Sequence, residues 1–129
     1  TTRGINAGSP YYGIRSVYDG RYRYIVNLTP EATFQNVETK SPLFKEWKSL
    51  AETDSHAKAM TTKYQHRPAI ELYDVKNDPY CMKNLAEDAK QASTISRLDK
   101  ELKRWMKDCG DEGQPTEMRA FEHMPGKRK

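Results

Sequence analysis

An α+β fold is predicted for this chain of 129 residues: a small antiparallel β-sheet of about four strands packed against a long C-terminal amphipathic helix, with a helical insertion between them. Three features predict it. Two runs of period-2 alternation flank Asp19-Gly20, a third short alternating run covers residues 69–75, and apolar side chains recur at helical spacing from Ile95 to Met106. A sheet apolar on one face and a helix apolar on one stripe cover each other in two layers.

The first run places Tyr12, Ile14, Ser16 and Tyr18 between Gly13, Arg15 and Val17. The second puts Tyr22, Tyr24 and Val26 on one face, with Arg21 and Arg23 on the other. Asp-Gly between such runs signals a type I′ hairpin, here over residues 11–28, since both central residues of that turn need positive φ. Thr1 to Asn6 is a candidate edge strand. From Thr29 to Thr39 the chain is polar, with Pro30 and an isolated Phe34, and reads as a long surface connection.

The helical insertion, residues 41–66, opens with Ser41-Pro42, an N-cap followed by proline at the first helical position. Leu43, Phe44, Trp47, Leu50 and Ala51 then recur at helical spacing, and a second helix from about Ser55 to Gln65 carries Ala57, Met60 and Tyr64 at the same period. Arg67-Pro68 ends it, because the residue before proline is pushed out of the helical region. In the strand over 69–75, Ile70 and Leu72 alternate with Glu71 and Tyr73. Asn77-Asp78-Pro79 is turn chemistry, and a compact loop anchored by Leu85 follows.

Asp88 with Gln91 three residues on has capping-box spacing at the start of a long helix over 89–109. Its apolar stripe is Ile95, Leu98, Leu102, Trp105 and Met106, and Gly110 closes it as a left-handed cap. The main body thus runs over residues 1–110. Residues 111–129, with Gly113, Pro115, Pro125 and Gly126, form a C-terminal arm expected to pack against something else.

Hydrophobic residues make up 36% of the chain and the mean hydropathy is −0.99, so no window approaches the ~20 apolar residues of a spanning helix. Lys plus Arg number 22 against 18 Asp plus Glu, a net +4 with the signs interspersed. That is a mild cationic bias. The polar start, Thr1 to Pro10, lacks the apolar run of a signal peptide, and the chain reads as a piece of something longer. Cys81 and Cys109 are too few for a disulfide scaffold or a structural zinc site. Pairing across the long helix and two free thiols both stay open.

The common hydrolase and phosphotransfer signatures are missing: there is no Gly-x-Ser-x-Gly elbow, Gly-rich phosphate loop or His-Glu-x-x-His helix. His56, His66 and His123 are scattered. Glu71, Asp74 and Asp78 lie near one another around a strand end, where a divalent cation could bind. A capped turn with Arg67 or a lysine as ion partner fits better, since the alternating acidic ligands of a calcium loop are absent. Arg21, Tyr22, Arg23 and Tyr24 interleave charge and rings as nucleic-acid sheets do, but alternation sends the rings to the face the helix would bury, which argues against nucleic acid.

Taken in order, Tyr12-Gly-Ile-Arg-Ser-Val, Asp19-Gly-Arg-Tyr-Arg-Tyr-Ile, Glu71-Leu-Tyr-Asp-Val, Asn77-Asp-Pro, Asn84-Leu-Ala and the Leu102 to Met106 helix end resemble the C-terminal part of sulfatases. The resemblance covers about Tyr11 to Asp108. The insertion before Glu71, with Ser41-Pro-Leu-Phe, is most similar to that of heparan N-sulfatase (N-sulfoglucosamine sulfohydrolase) and its bacterial relatives.

The resemblance implies a larger enzyme hydrolysing sulfate esters or N-sulfate groups of glycosaminoglycan-type sugars. Its N-terminal catalytic domain would hold calcium and a formylglycine made from a Cys/Ser-x-Pro-x-Arg motif. Neither Cys81, followed by Met-Lys-Asn-Leu, nor Cys109, followed by Gly-Asp-Glu-Gly, matches that motif. The segment is therefore expected to hold no catalytic residue, metal ligand or cofactor, to be inactive alone, and to complete the fold beside its catalytic domain. Arg3 at the domain entry is the candidate rim contact for a sulfated sugar, since a guanidinium forks onto sulfate oxygens, and His66 is a weaker one. A secreted, periplasmic or lysosomal parent is implied. The alternative is a free-standing binding module for acidic polysaccharide or single-stranded nucleic acid.

Overall fold

Alternation fixes which side chains share a face of the sheet, and the strand pairing shows which face each run serves. The computed structural model describes residues 12–119. Strand β1 (Ile14–Tyr18) pairs antiparallel with β2 (Tyr22–Asn27), and β2 pairs antiparallel with β3 (Ile70–Asp74), giving the order β1-β2-β3. Among the described residues the sheet has these three strands; the candidate edge strand at Thr1 to Asn6 lies outside them. Between β2 and β3 come helices α1 (Pro42–Leu50) and α2 (Ser55–Gln65), and after β3 come α3 (Ala92–Asp108) and a short α4 (Gln114–Met118).

The hairpin forms where expected, but its turn is displaced by one residue. Asp19 pairs with Tyr22 through Asp19 N–H donating to the Tyr22 carbonyl (3.2 Å), so Gly20 and Arg21 are central. Gly20 has φ +97°, whereas Arg21 is not among the positive-φ residues. Positive φ at the first central position alone matches the II′ pattern, not I′. The cause is the Asp19 carboxylate, which accepts from the amides of Arg21 (3.0 Å) and Tyr22 (2.7 Å) and so sits before the turn as its cap.

Cross-strand partners point to the same side of a sheet. Val17, Tyr24 and Leu72 are aligned across the three strands, as are Val26 and Ile70. On this face Tyr24, Leu72, Leu98 and Leu102 form the buried core, flanked by Val17, Tyr22, Val26, Ile95 and Met106. Each such leucine contributes about 1.5–3 kcal/mol of apolar burial. Trp105, placed in the stripe by sequence, is 55% exposed. On a 100° wheel it sits ~60° from the stripe's centre, at its margin.

The capping signals act one step apart from the α-helix itself. Asp88 accepts from Lys90 N–H (3.0 Å) and caps a 3₁₀ turn, Ala89–Gln91, from which α3 continues. At the other end Gly110 takes φ +71° and Asp111 N–H donates to the Met106 carbonyl (2.7 Å), the long bond of a Schellman ending. In α1 and α2, Ser41 caps Phe44 N–H (3.1 Å) and Asp54 caps Ala57 N–H (2.7 Å).

The arm's described part, residues 111–119, packs on β1. Arg15, 4% exposed, donates to Glu117 Oε1 (2.6 Å) and to Asp111 Oδ1 (3.0 Å), with a second bond from its Nε to Asp111. A Cβ on Gly13 would meet Glu117 Cγ at 2.5 Å, so glycine there is what lets α4 approach.

The second face of the sheet departs from the two-layer expectation. Ile25, Glu71 and Tyr73 point away from α3 and are nevertheless buried. The insertion and the 29–39 connection cover them.

Candidate functional site

Phe34, the isolated apolar residue of a polar stretch, organises this second face. It is 5% exposed, and its N–H donates to the Gln65 carbonyl (2.7 Å), tying the connection to the end of α2. Its ring lies edge-on to Tyr12 (5.2 Å between centroids) and Tyr64 (5.9 Å); Tyr64 in turn meets Phe44 (5.4 Å), and Phe44 meets Trp47 (6.3 Å). Edge and tilted contacts of this kind suit the ring quadrupole and hold the insertion as a unit.

The unit stands off the sheet rather than lying flat on it. A cavity of about 660 Å³ remains, floored by Ile25, Glu71 and Tyr73 and walled by the insertion's rings. On the other side it is bounded by the Tyr80–Met82 turn, where Cys81 takes φ +54°. That is a conformation non-glycine residues seldom adopt. Lys63 from α2 holds this turn by donating to the carbonyls of Cys81 (2.9 Å) and Met82 (2.6 Å), and its ammonium also lies 5.3 Å from the Tyr73 ring centroid.

Glu71 sits on the floor at 3% exposure with its oxygens fully engaged. Asn27 Nδ2 (2.7 Å) and Arg67 Nε (3.0 Å) donate to Oε1, and the Tyr73 hydroxyl donates to Oε2. Burial, reinforced by that bond to Glu71, keeps the Tyr73 phenol protonated far above its ordinary range. Burial also raises Tyr12, whose hydroxyl has no hydrogen-bond partner among the described residues. The Arg67–Glu71 ion pair is the structural pairing expected beside Pro68.

The other carboxylates of that sequence cluster separate. Asp74 faces α3's side, where Arg21 (2.7 Å) and Asn77 (2.9 Å) donate to it; the Arg21 bond draws its pKa down to about 2. Asp78 accepts from Lys83 N–H (2.8 Å) and caps its own turn. Among the described residues no group of three His, Cys, Asp or Glu is placed to hold a metal ion. Cys81 and Cys109 are free thiols.

The Asn84-Leu-Ala string acquires a physical role. Asn84 Oδ1 accepts from Leu72 N–H (2.8 Å) and Ala86 N–H (3.0 Å), while Leu85 N–H donates to the Leu72 carbonyl (2.8 Å). The free edge of β3 is thereby satisfied without a fourth strand.

Of the two candidate rim residues, Arg3 lies outside the described residues. His66 is the exposed C-cap of α2, its N–H donating to the Thr62 carbonyl (2.8 Å), and it does not line the cavity. Its neighbour Arg67 does, together with His56, Arg23 and Lys63. Sequence reasoning missed Trp47, Tyr80 and Lys63, whose convergence depends on how far the insertion folds back. The lone Phe34 was the available signal.

No family model matches the chain. Two curated proteins do. The chain is similar to part of two sulfatases. Both are ulvan-active sulfatases of Formosa agariphila: one is 33% identical over 108 residues, covering 81% of this chain and 18% of the relative, and the other is 31% identical over 103 residues, covering 80% and 19%. The chain thus spans less than a fifth of the length of these relatives. They agree with the sulfatase resemblance, and neither is a heparan N-sulfatase. Among the described residues no helix is long and apolar enough to cross a membrane.

Proposed function

We propose that this chain is the C-terminal part of a sulfatase that releases sulfate from a sulfated glycan, and that it completes the fold beside the catalytic domain rather than performing the chemistry. The carrying observation is the alignment of four-fifths of the chain with a small fraction of each of two sulfatases. A supporting role fits the described residues: the buried carboxylates Glu71 and Glu117 sit in ion pairs with Arg67 and Arg15, and the Tyr73 phenol is held protonated. Calcium, in this reading, is held by the catalytic domain, in keeping with the lack of a cluster of three His, Cys, Asp or Glu among the described residues.

The formylglycine, the metal and the attack on sulfur would all belong to the preceding domain. The relatives' names favour ulvan as the substrate; the likeness of the insertion to that of heparan N-sulfatase favours glycosaminoglycan-type sugars with O- or N-sulfate. We take ulvan as the first probe and N-sulfated glucosamine as the second. A secreted or periplasmic parent suits a polymeric glycan. The binding-module alternative keeps one observation in its favour, the cavity beneath the insertion.

The test begins with the whole reading frame. A Cys/Ser-x-Pro-x-Arg motif upstream, sulfate release from ulvan or from N-sulfated glucosamine by the full protein, and none by the 129-residue segment are the expected results. Sulfate release by the segment alone, or a frame lacking both motif and turnover, overturns the reading.

A further inference from the structure

We propose that the cavity between the sheet and the helical insertion is a glycan-binding groove that takes an anionic, sulfated pyranose unit of the substrate polymer. The identity of this occupant rests on the sulfatase reading; the chemistry it must satisfy is set by the groove. Its volume, about 660 Å³, falls within the ~300–1,000 Å³ of small-ligand sites.

Charge points to an anion. Arg23, Lys63 and Arg67 line the groove against a single carboxylate, Glu71. Glu71 is already satisfied by Arg67, Asn27 and Tyr73, so it neutralises little else. Among the described residues neither Arg23 nor Lys63 forms an ion pair. The Arg23 guanidinium rests 5.9 Å from the Tyr18 ring centroid, and among the described residues its side-chain hydrogen bond goes to the Cys81 sulfur at 4.0 Å, a weak acceptor. Lys63 gives two of its N–H bonds to neutral carbonyls and keeps a third donor, while its charge faces the Tyr73 ring and acts on Asp78 without pairing with it.

Rings point to a flat, partly apolar body. Trp47 is 48% and Tyr80 86% exposed, and both border the groove from opposite sides. Large rings left in water cost apolar exposure, and amphipathic ones are suited to receive the C–H face of a sugar while its hydroxyls stay wet. Sulfate oxygens would meet the Arg23 fork and the spare Lys63 donor, since charge-assisted bonds of this type are the strong ones. The turn that carries Tyr80 is fixed to α2 by Lys63, so the two sides are held at a set spacing.

Affinity electrophoresis of the 129-residue chain through gels containing ulvan, at fixed ionic strength and with neutral dextran as control, tests this. Trp47→Ala and Tyr80→Ala alter exposed rings, and far-UV circular dichroism checks that each variant stays folded. Each is expected to weaken retention about 3- to 10-fold. Arg23→Gln should do the same, while Lys100→Gln, on the exposed side of α3 across the sheet, should not change it. Equal weakening by Lys100→Gln and Arg23→Gln, or retention that survives loss of both rings, means general surface charge and overturns the proposal. Absence of retention by ulvan overturns it too, as does stronger ring-dependent retention by a single-stranded oligonucleotide. Sulfate release by the whole reading frame is scored apart: release without ring-dependent retention sinks the groove alone, and ring-dependent retention without release sinks the sulfatase reading alone.

Discussion

Replacing Arg15 by methionine probes the joint between β1 and the C-terminal arm. Methionine keeps an apolar stem of similar length and removes the guanidinium, leaving Asp111 and Glu117 facing each other with Glu117 fully buried. Breaking a buried ion pair from one side costs about 3–5 kcal/mol. A second route to the magnitude is to let one carboxyl take up a proton: for an unfolded-state glutamate of pKa ~4.3, this costs ~3.7 kcal/mol at pH 7 and ~1 kcal/mol at pH 5. The two agree at neutral pH, and only the second falls with acid. Urea denaturation of Arg15→Met should therefore show a loss of about 3–4 kcal/mol at pH 7 shrinking to about 1 kcal/mol at pH 5. A loss under ~1 kcal/mol at pH 7, or one independent of pH, would refute the burial argument.

Acid should destabilise the wild-type chain through its capped carboxylates. The Arg97 bond draws Asp19 down to about 2, the Arg21 bond does the same for Asp74, and the Arg15 bond lowers Asp111. Folded pKa values below the unfolded ~3.9 mean stabilisation that is fully present above pH ~4 and lost as pH falls towards 2. Thermal melts from pH 5 to 2 should fall across that window, less steeply in Asp74→Asn. Leu98→Ala, at a site with no exposure in the core, should lower stability by about 2–5 kcal/mol, read from the guanidinium midpoint. Asn84→Ala strands the Leu72 amide at the sheet edge and should cost about 1–3 kcal/mol in the same assay. Lys63→Met should speed hydrogen exchange at Cys81 and Met82 while leaving β3 protected, a pattern absent if the turn is held by other contacts.

The chain's alternation and caps carry their own geometry, so β1, β2, β3 and all three longer helices were legible as residue patterns. Ser41-Pro42 is one case: cap and proline act within one turn of chain and need nothing distant. The type of hairpin turn was not legible, because the Asp19 side chain chose between capping and sitting inside the turn. Arg15 illustrates the harder failure. Nothing near it in sequence neutralises it; its partners Asp111 and Glu117 lie about a hundred residues away and arrive only when α4 docks.

The same division governs the candidate site. Local periodicity determined by itself that this protein has a helix-covered antiparallel sheet, and the order of its short strings carried the sulfatase resemblance. Whether the sheet's other face is bare, packed or hollow depends on where an insertion of two helices comes to rest. Only the tertiary structure decided that, through Phe34 and the Lys63 clamp, because a cavity is a relation between surfaces that no single stretch of chain contains.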